Sequence, residues 1–278
     1  MNFVFEIIKL IRPFNITIAI FSSLIVFQLY PHSSIKTLFQ LILVLIFYMA
    51  AGNILNDYLD VKTDKINKPH RILVKYEINN YVILLLIAML FIAGTTLAMM
   101  QSYITFCIAT YIAMPFIILY ELIFKKIPLI GNIVISLLVG LVFIFIESGI
   151  NGDIVYTWKI MFLAFGLNLI REIIKDIEDI KGDKKSDYAT LPISIGVKKT
   201  IFIIRMISAT FIFFSVSPIY IFAYNFIYFP LIFFLIHLPL LYIMWRLNDN
   251  ITSSEYHFFS SLLKAMIFCG VLIILLSH

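Results

Sequence analysis

Nine runs of about twenty apolar residues, joined by short loops, constrain this chain more than any other feature. They fall at roughly 14–30, 37–58, 80–100, 103–123, 129–149, 157–178, 200–222, 226–245 and 256–276. A run of that length crosses a hydrocarbon core as a helix, because only a helix or a closed barrel satisfies the backbone where no water can. Hydrophobic residues make up 62% of the chain and charged residues 13%, against about 45–50% and about 25% in soluble domains. A soluble globular fold is therefore excluded, and the expected class is an all-α membrane protein with nine transmembrane helices. No Gly/Ser-rich linker, low-complexity tract or domain-sized loop interrupts the series, so residues 1–278 read as a single transmembrane domain.

The basic residues predict an orientation. Lys9 and Arg12 precede the first run, Lys62 to Lys75 follow the second, and Lys125 and Lys126 follow the fourth. Eight more lie between Arg171 and Arg205, and Arg246 follows the eighth, so 18 of 21 collect on one side. That side is cytoplasmic by the positive-inside rule. The N-terminus is expected inside and the C-terminus outside. The net charge of +5 thus belongs to topology, and no nucleic-acid partner is expected. Cys107 and Cys269 lie within apolar runs and support neither a disulfide nor a cysteine metal site. The leading MNFVFEIIKLIRPFN carries acid and base and no small-residue cleavage site, so a cleavable signal is not expected.

Two acidic stripes interrupt the apolar pattern. Asn53, Asp57, Asp60 and Asp64 fall within about 60° of one helical face at the end of the second run. Glu172, Asp176, Asp179 and Asp183 repeat that spacing 119 residues later, at the end of the sixth. Carboxylates one turn apart repel, and more strongly in a recessed site of low dielectric. A divalent cation removes the difficulty, and carboxylate and amide oxygens suit Mg²⁺ better than zinc or copper. Mg²⁺ usually takes one or two carboxylates together with substrate phosphate. The stripes and the bases beside them, Lys68, Arg71, Lys184 and Lys185, therefore suggest a diphosphate held through two Mg²⁺ ions, with Arg offering bidentate contacts. Asn53 and Glu172 are either ligands or neighbours in the stripe. Both stripes are expected to open on the cytoplasmic face.

NDYLDVKTD, from Asn56 to Asp64, resembles the first motif of the UbiA superfamily of intramembrane prenyltransferases, N-D-x-x-D-x-x-x-D. Asp176, Asp179 and Asp183 resemble its second, D-x-x-D-x-x-x-D. Span count and motif position extend the likeness over nearly the whole chain. The resemblance implies nine helices around a central cavity open laterally to lipid. It implies Mg²⁺ as cofactor, with Asp57, Asp60, Asp64, Asp176, Asp179 and Asp183 as catalytic metal ligands. Smaller pieces agree: Arg12-Pro13-x-Asn15 resembles the family's R-P-x-N near the acceptor. Tyr120 with Lys125 and Lys126 resembles its Y-to-K-R segment, and Gly131-Asn132 its start of helix 5. Within the superfamily, the Arg171-Glu172 lead into the second motif is most similar to the archaeal ether-lipid branch. One departure stands out. Ile72-Leu73-Val74-Lys75 follows Arg71 where that branch has Pro and a Gly-containing turn.

That likeness implies transfer of a geranylgeranyl group from its diphosphate to the hydroxyl of geranylgeranylglyceryl phosphate. The prenyl diphosphate and the lipid acceptor would arrive from the bilayer, and no protein partner is implied. Two alternatives stay open: prenylation of an aromatic quinone precursor, and a cation-coupled transporter using the stripes as ion sites. Transporter sites usually lie near the midplane on broken helices, whereas these acids end their runs.

Overall fold

The computed structural model describes residues 9–67, 69, 71–76, 78–185, 188–216 and 225–277, and among them every regular element is helical. The chain forms two compact units. The first comprises Met1–Lys125 with Leu141–Trp158, and the second Lys126–Gly140 with Lys159–His278. The first half of the chain holds α1 (Pro13–Gln28), α2 (Ile35–Leu59), α3 (Val61–Asn67), α4 (Ile72–Lys75), α5 (Asn80–Ala98) and α6 (Tyr103–Leu122). Next come α7 (Ile130–Asn151), α8 (Thr157–Glu178), α9 (Ile180–Lys185) and α10 (Leu191–Ile195). The last three are α11 (Val197–Phe214), α12 (Tyr228–Arg246) and α13 (Ser253–Ser277). The chain passes between the units three times, after Lys125, inside α7 after Gly140, and in the first turn of α8 after Trp158.

Each expected run is helical over most of its described length, and the all-α membrane class holds. The expected nine crossings are not confirmed in number: by length and composition, six helices among the described residues, α2, α5, α6, α7, α12 and α13, are long and apolar enough to cross a membrane. The shortfall has local causes. Helix α1 has only 16 residues, and α8 carries six charged side chains between Lys159 and Glu178. Helix α11 has 18 residues, with Lys198, Lys199 and Arg205 among them, and the rest of its expected run lies partly outside the described residues.

Helix α2 organises the first unit, packing along α5 and also against α1 and α6. Helix α5 shows how faces are chosen when every face is apolar. It buries Ile83, Ile87, Phe91 and Gly94 and exposes Tyr81, Leu85, Met89 and Ile92, the surface a bilayer covers. Between helices in lipid, close fit and hydrogen bonds decide rather than hydrophobicity. A Cβ on Gly94 would stand 2.6 Å from the Tyr48 ring, so glycine admits α2 there. The Tyr48 hydroxyl then pairs with Thr95 Oγ1 at 2.8 Å, and its ring meets Phe91 edge-on at 5.4 Å. In the second unit Gly140 has the same task on α7, where a Cβ would lie 2.7 Å from the Met161 carbonyl of α8. Helix α12 packs on α11 and α13 in that unit.

Two helices widen into π turns, Ile108–Ala113 in α6 and Phe233–His237 in α12, and Pro115 and Pro239 each follow after one intervening residue. Proline has no N–H to donate, and its ring presses on the carbonyl four residues back. Those carbonyls, of Tyr111 and Leu235, lie inside the widened turns, which relieve the clash without ending the helix.

Both acid-bearing helices break at the same place in the motif. Helix α2 ends at Leu59 with Asp60 as its cap, and α3 starts at Val61. Helix α8 ends at Glu178, and α9 starts at Ile180 after Asp179. The one-helix stripe expected from the spacing is corrected accordingly: Asp64 and Asp183 sit on separate short helices. The aspartate at each junction still serves both helices, its N–H closing the first and its carbonyl opening the second. Asp60 N–H donates to Asn56 at 2.9 Å and Asp64 N–H to Asp60 at 2.8 Å. Asp179 N–H donates to Lys175 at 2.9 Å and Asp183 N–H to Asp179 at 3.1 Å.

Candidate active site

In the first unit the carboxylates of the first motif are wrapped in cations. Arg12 Nη2 donates to Asp57 Oδ1 at 2.8 Å, and Arg71 Nη1 bridges Asp57 Oδ1 at 2.5 Å and Asp64 Oδ2 at 2.7 Å. Lys125 Nζ reaches Asp60 Oδ1 at 2.6 Å and Glu121 Oε2 at 2.8 Å. Asp57, Asp64 and Glu121 are buried, which is tolerable only because each is paired and hydrogen-bonded. Burial pulls the Lys125 ammonium down, but Glu121 and Asp60 outweigh it and hold it above its ordinary value.

The amides orient the cluster. Asn56 Nδ2 donates to Asp60 Oδ2 and to Glu121 Oε2, each at 2.9 Å, while its Oδ1 accepts from Arg12 at 2.5 Å. Asn53 Nδ2 donates to the Ile11 carbonyl at 3.1 Å and ties α2 to the chain entering α1. Arg12 itself has φ 53° and ψ 68°, a left-handed conformation in a side-chain-bearing residue just before Pro13. Backbone held in that region is over-determined by its surroundings, and the guanidinium contacts to Asn56 and Asp57 supply the constraint. Asn15 lies one turn on, its N–H donating to the Arg12 carbonyl at 2.9 Å. Tyr120 is half-buried next to Glu121 on α6, and Lys68 lies outside the described residues.

In the second unit Asn132 Nδ2 donates to Asp176 Oδ2 at 2.8 Å. Ser136 Oγ donates to the Asn132 carbonyl at 2.6 Å and accepts from Asn168 at 3.2 Å, which fixes that part of α7 on α8. Leu129, just before α7, is the other described non-glycine residue with positive φ, at 64°. Glu172 is buried between Arg171 and Lys175, the latter 3.5 Å away. The Nε of Arg171 is buried without a hydrogen-bond partner, a donor that an anionic oxygen would satisfy. Asp183 is buried in the first turn of α9, where the helix dipole favours an anion. Lys184 is exposed, and the Lys126 ammonium stands 5.7 Å over the Tyr188 ring. His257, for which the sequence offers no role, meets Glu178 at 2.7 Å.

Sequence reasoning passed over Glu121. Its signal was present: one acid near the end of an apolar run, four residues before a lysine, is the spacing of a helical ion pair. Tyr188 left no comparable trace.

Among the described residues no three His, Cys, Asp or Glu side chains converge into a ready metal cage. Mg²⁺ does not need one, since it keeps water and phosphate in its shell beside one or two carboxylates. The oxygen-only donors of Asp57, Asp60 and Asp64 fit that ion, and their present cations mark where positive charge is wanted.

Residues 16–269 match the UbiA prenyltransferase family. A digeranylgeranylglyceryl phosphate synthase of Pyrococcus furiosus is 37% identical over 196 residues, 69% of each chain. A solved structure of digeranylgeranylglyceryl phosphate synthase in membranes matches with a TM-score of 0.79 at 28% identity, covering 100% of this chain and 99% of that one. A UbiA homologue from Archaeoglobus fulgidus, solved with DMAPP and Mg²⁺, matches with a TM-score of 0.74 over 96% of this chain and 99% of that one. At 19% identity it speaks for the fold alone.

Proposed function

This chain belongs to the UbiA prenyltransferase family, and on that premise we propose that it transfers a geranylgeranyl group from geranylgeranyl diphosphate to the free hydroxyl of geranylgeranylglyceryl phosphate. The observation that carries the reading is the collar of Arg12, Arg71 and Lys125 on Asp57, Asp60 and Asp64, at 2.5–2.8 Å. Such a collar serves a substrate that brings its own anions and a metal. The choice of acceptor rests on the synthase relatives, 37% identical in the first case and 28% in the solved structure.

Asp57, Asp60 and Asp64, with Asn53 Oδ1, would hold Mg²⁺ at the first motif, and Asp176, Asp179 and Asp183 at the second. Mg²⁺ bound there supplies charge neutralisation for a departing diphosphate. The C1–O bond of the prenyl donor breaks with both electrons leaving on the diphosphate oxygen. The acceptor hydroxyl bonds to C1 of the allylic cation, and its proton passes to a carboxylate or to the diphosphate. Arg71 and Lys68 would add positive charge for a phosphate beside the first motif, and Lys184 and the unpartnered Arg171 Nε beside the second. Arg12, Asn15 and Lys126 are assigned to the acceptor phosphate. Asn56, Tyr120, Asn132 and Glu172 position the charged groups beside them. Apolar helices keep water from trapping the cation. The chain is a multi-pass membrane protein, and we place its N-terminus and both motifs on the cytoplasmic side, where 18 of 21 basic residues collect.

The test offers geranylgeranylglyceryl phosphate and 4-hydroxybenzoate in parallel with labelled geranylgeranyl diphosphate and Mg²⁺. A prenylated glycerophospholipid is expected, and prenylation of the aromatic acid alone would overturn the acceptor. Asp60→Ala and Asp179→Ala are each expected to cut diphosphate release by at least a hundredfold. Release unchanged in both would remove the motifs from the chemistry.

A further inference from the structure

The first unit contains a buried carboxylate that belongs to neither acidic motif. Glu121, on the last turn of α6, accepts from Lys125 Nζ at 2.8 Å and from Asn56 Nδ2 at 2.9 Å. The same two donors reach Asp60, at 2.6 and 2.9 Å. Glu121 and Asp60 are thus joined twice, once through an ammonium and once through an amide. The Lys125 side chain is only 7% exposed, so its charge is committed to these carboxylates rather than to water. An ammonium is a point charge with three donors that rotate freely, and it can lean to either acid without changing the backbone.

A divalent ion and an ammonium compete for the same carboxylate. If Asp60 takes Mg²⁺, as the proposed function has it, Lys125 must give up that oxygen and still not be left buried and uncompensated. Glu121 lies four residues back, the spacing at which helical ion pairs form. We propose that Glu121 is a positioning residue for the metal site, holding Lys125 away from Asp60 so that the aspartate is open to the metal. The effect runs through the lysine and not through direct contact with the ion. It deepens the proposed function and rests on its assignment of Asp60 as a ligand.

A double-mutant cycle separates this from a general effect of charge. Full-length protein is purified in detergent, and Mn²⁺ binding is followed by electron paramagnetic resonance, without any turnover. Glu121→Gln is expected to weaken Mn²⁺ binding about tenfold, because the ammonium then settles on Asp60. In the Lys125→Gln background the same change is expected to matter less than twofold. Equal factors in the two backgrounds would overturn the proposal, since Glu121 would then act only by its own charge. If Glu121→Gln alone fails to fold, a difference of more than twofold between Lys125→Gln and the double variant still overturns the proposal, because the lysine through which Glu121 acts is absent from both. Mn²⁺ binding that is absent, or unmoved by Asp60→Asn, would overturn the metal assignment as well. Binding that depends on Asp60 but not on Glu121 would overturn this inference alone.

Discussion

Arg71→Gln tests whether the cations around the first motif stand where a metal is wanted. Arg71 joins Asp57 at 2.5 Å and Asp64 at 2.7 Å, and its side chain is 19% exposed against 7% and 6% for the acids. Removing one partner of a buried ion pair costs about 3–5 kcal/mol, because the other charge stays behind. The lower end applies, since Asp57 keeps Arg12 at 2.8 Å. Asp64 also sits in the first turn of α3, where the helix dipole returns about 0.3–1 kcal/mol. The expected loss is therefore about 2–3 kcal/mol, which at roughly 2–4 °C per kcal/mol lowers the melting temperature by about 4–12 °C in EDTA. Mg²⁺ at a hundred times its dissociation constant stabilises a one-site protein by about 2.7 kcal/mol, a gain of the same size. The variant binds it without a guanidinium competing for the same oxygens, so Mg²⁺ is expected to close at least half of the gap to wild type. Melting curves of both proteins with EDTA and with Mg²⁺ decide it. A gap that is equally wide in both conditions would refute the idea that guanidinium and metal serve the same carboxylates.

Other consequences are as direct. Asn132→Ala removes the 2.8 Å hydrogen bond to Asp176, worth about 1.5–3 kcal/mol for a charged acceptor, and steady-state prenyl transfer should fall about tenfold to a hundredfold. Glu147 is fully buried and accepts from Tyr30 Oη, Tyr156 N, Thr157 N and Thr157 Oγ1. Glu147→Gln should cost about 2–4 kcal/mol in thermal melting, yet change kcat less than twofold, since Tyr30 follows the far end of α1 from Arg12. Lys125 is held above its ordinary 10.5, so the stability it contributes is complete below pH 10.5 and lost as pH climbs through the raised folded value. Melting temperature should therefore drop more steeply above pH 10.5 in wild type than in the double Glu121→Gln, Lys125→Gln variant.

The apolar runs and the acidic motifs could be read from the chain because each has a period or a spacing. Twenty apolar residues specify a helix, and i, i+3, i+7 places three acids on one side. What escaped has neither. Which face of α5 packs is settled by Gly94 meeting Tyr48, a matter of shape that an all-apolar pattern does not encode. The widened turns before Pro115 and Pro239 could have been suspected from proline inside a helical run, but proline alone permits a kink, a break or a π turn. Glu121 could have been paired with Lys125 from its spacing, but its link to Asn56 and Asp60 comes into view only when α2 is laid beside α6. The charge on α8 was visible, and it is the reason that helix falls short of a membrane span by composition alone.

The break after the second position of each motif has a common electrostatic cause. A helix C-terminus carries about half a negative charge, so a third carboxylate on the same helix would add to repulsion from both the dipole and its neighbours. Ending α2 at Leu59 and α8 at Glu178 moves Asp64 and Asp183 to the start of new helices, where the dipole changes sign in their favour. Asp57 and Asp176 remain on the unfavourable end, and each is met there by a group delivered from a strained turn. Arg12, at φ 53°, pairs with Asp57 directly. Leu129, at φ 64°, starts the helix whose Asn132 pairs with Asp176. Backbone in that region costs about 1–3 kcal/mol per residue, a cost the hydrogen bond to each carboxylate can offset. The strained turn and the acid it serves should therefore depend on each other. Arg12→Gly, which removes the strain and the guanidinium together, should destabilise the metal-free protein less than Arg12→Ala, which keeps the strain and loses the contact, and equal melting temperatures would refute that coupling.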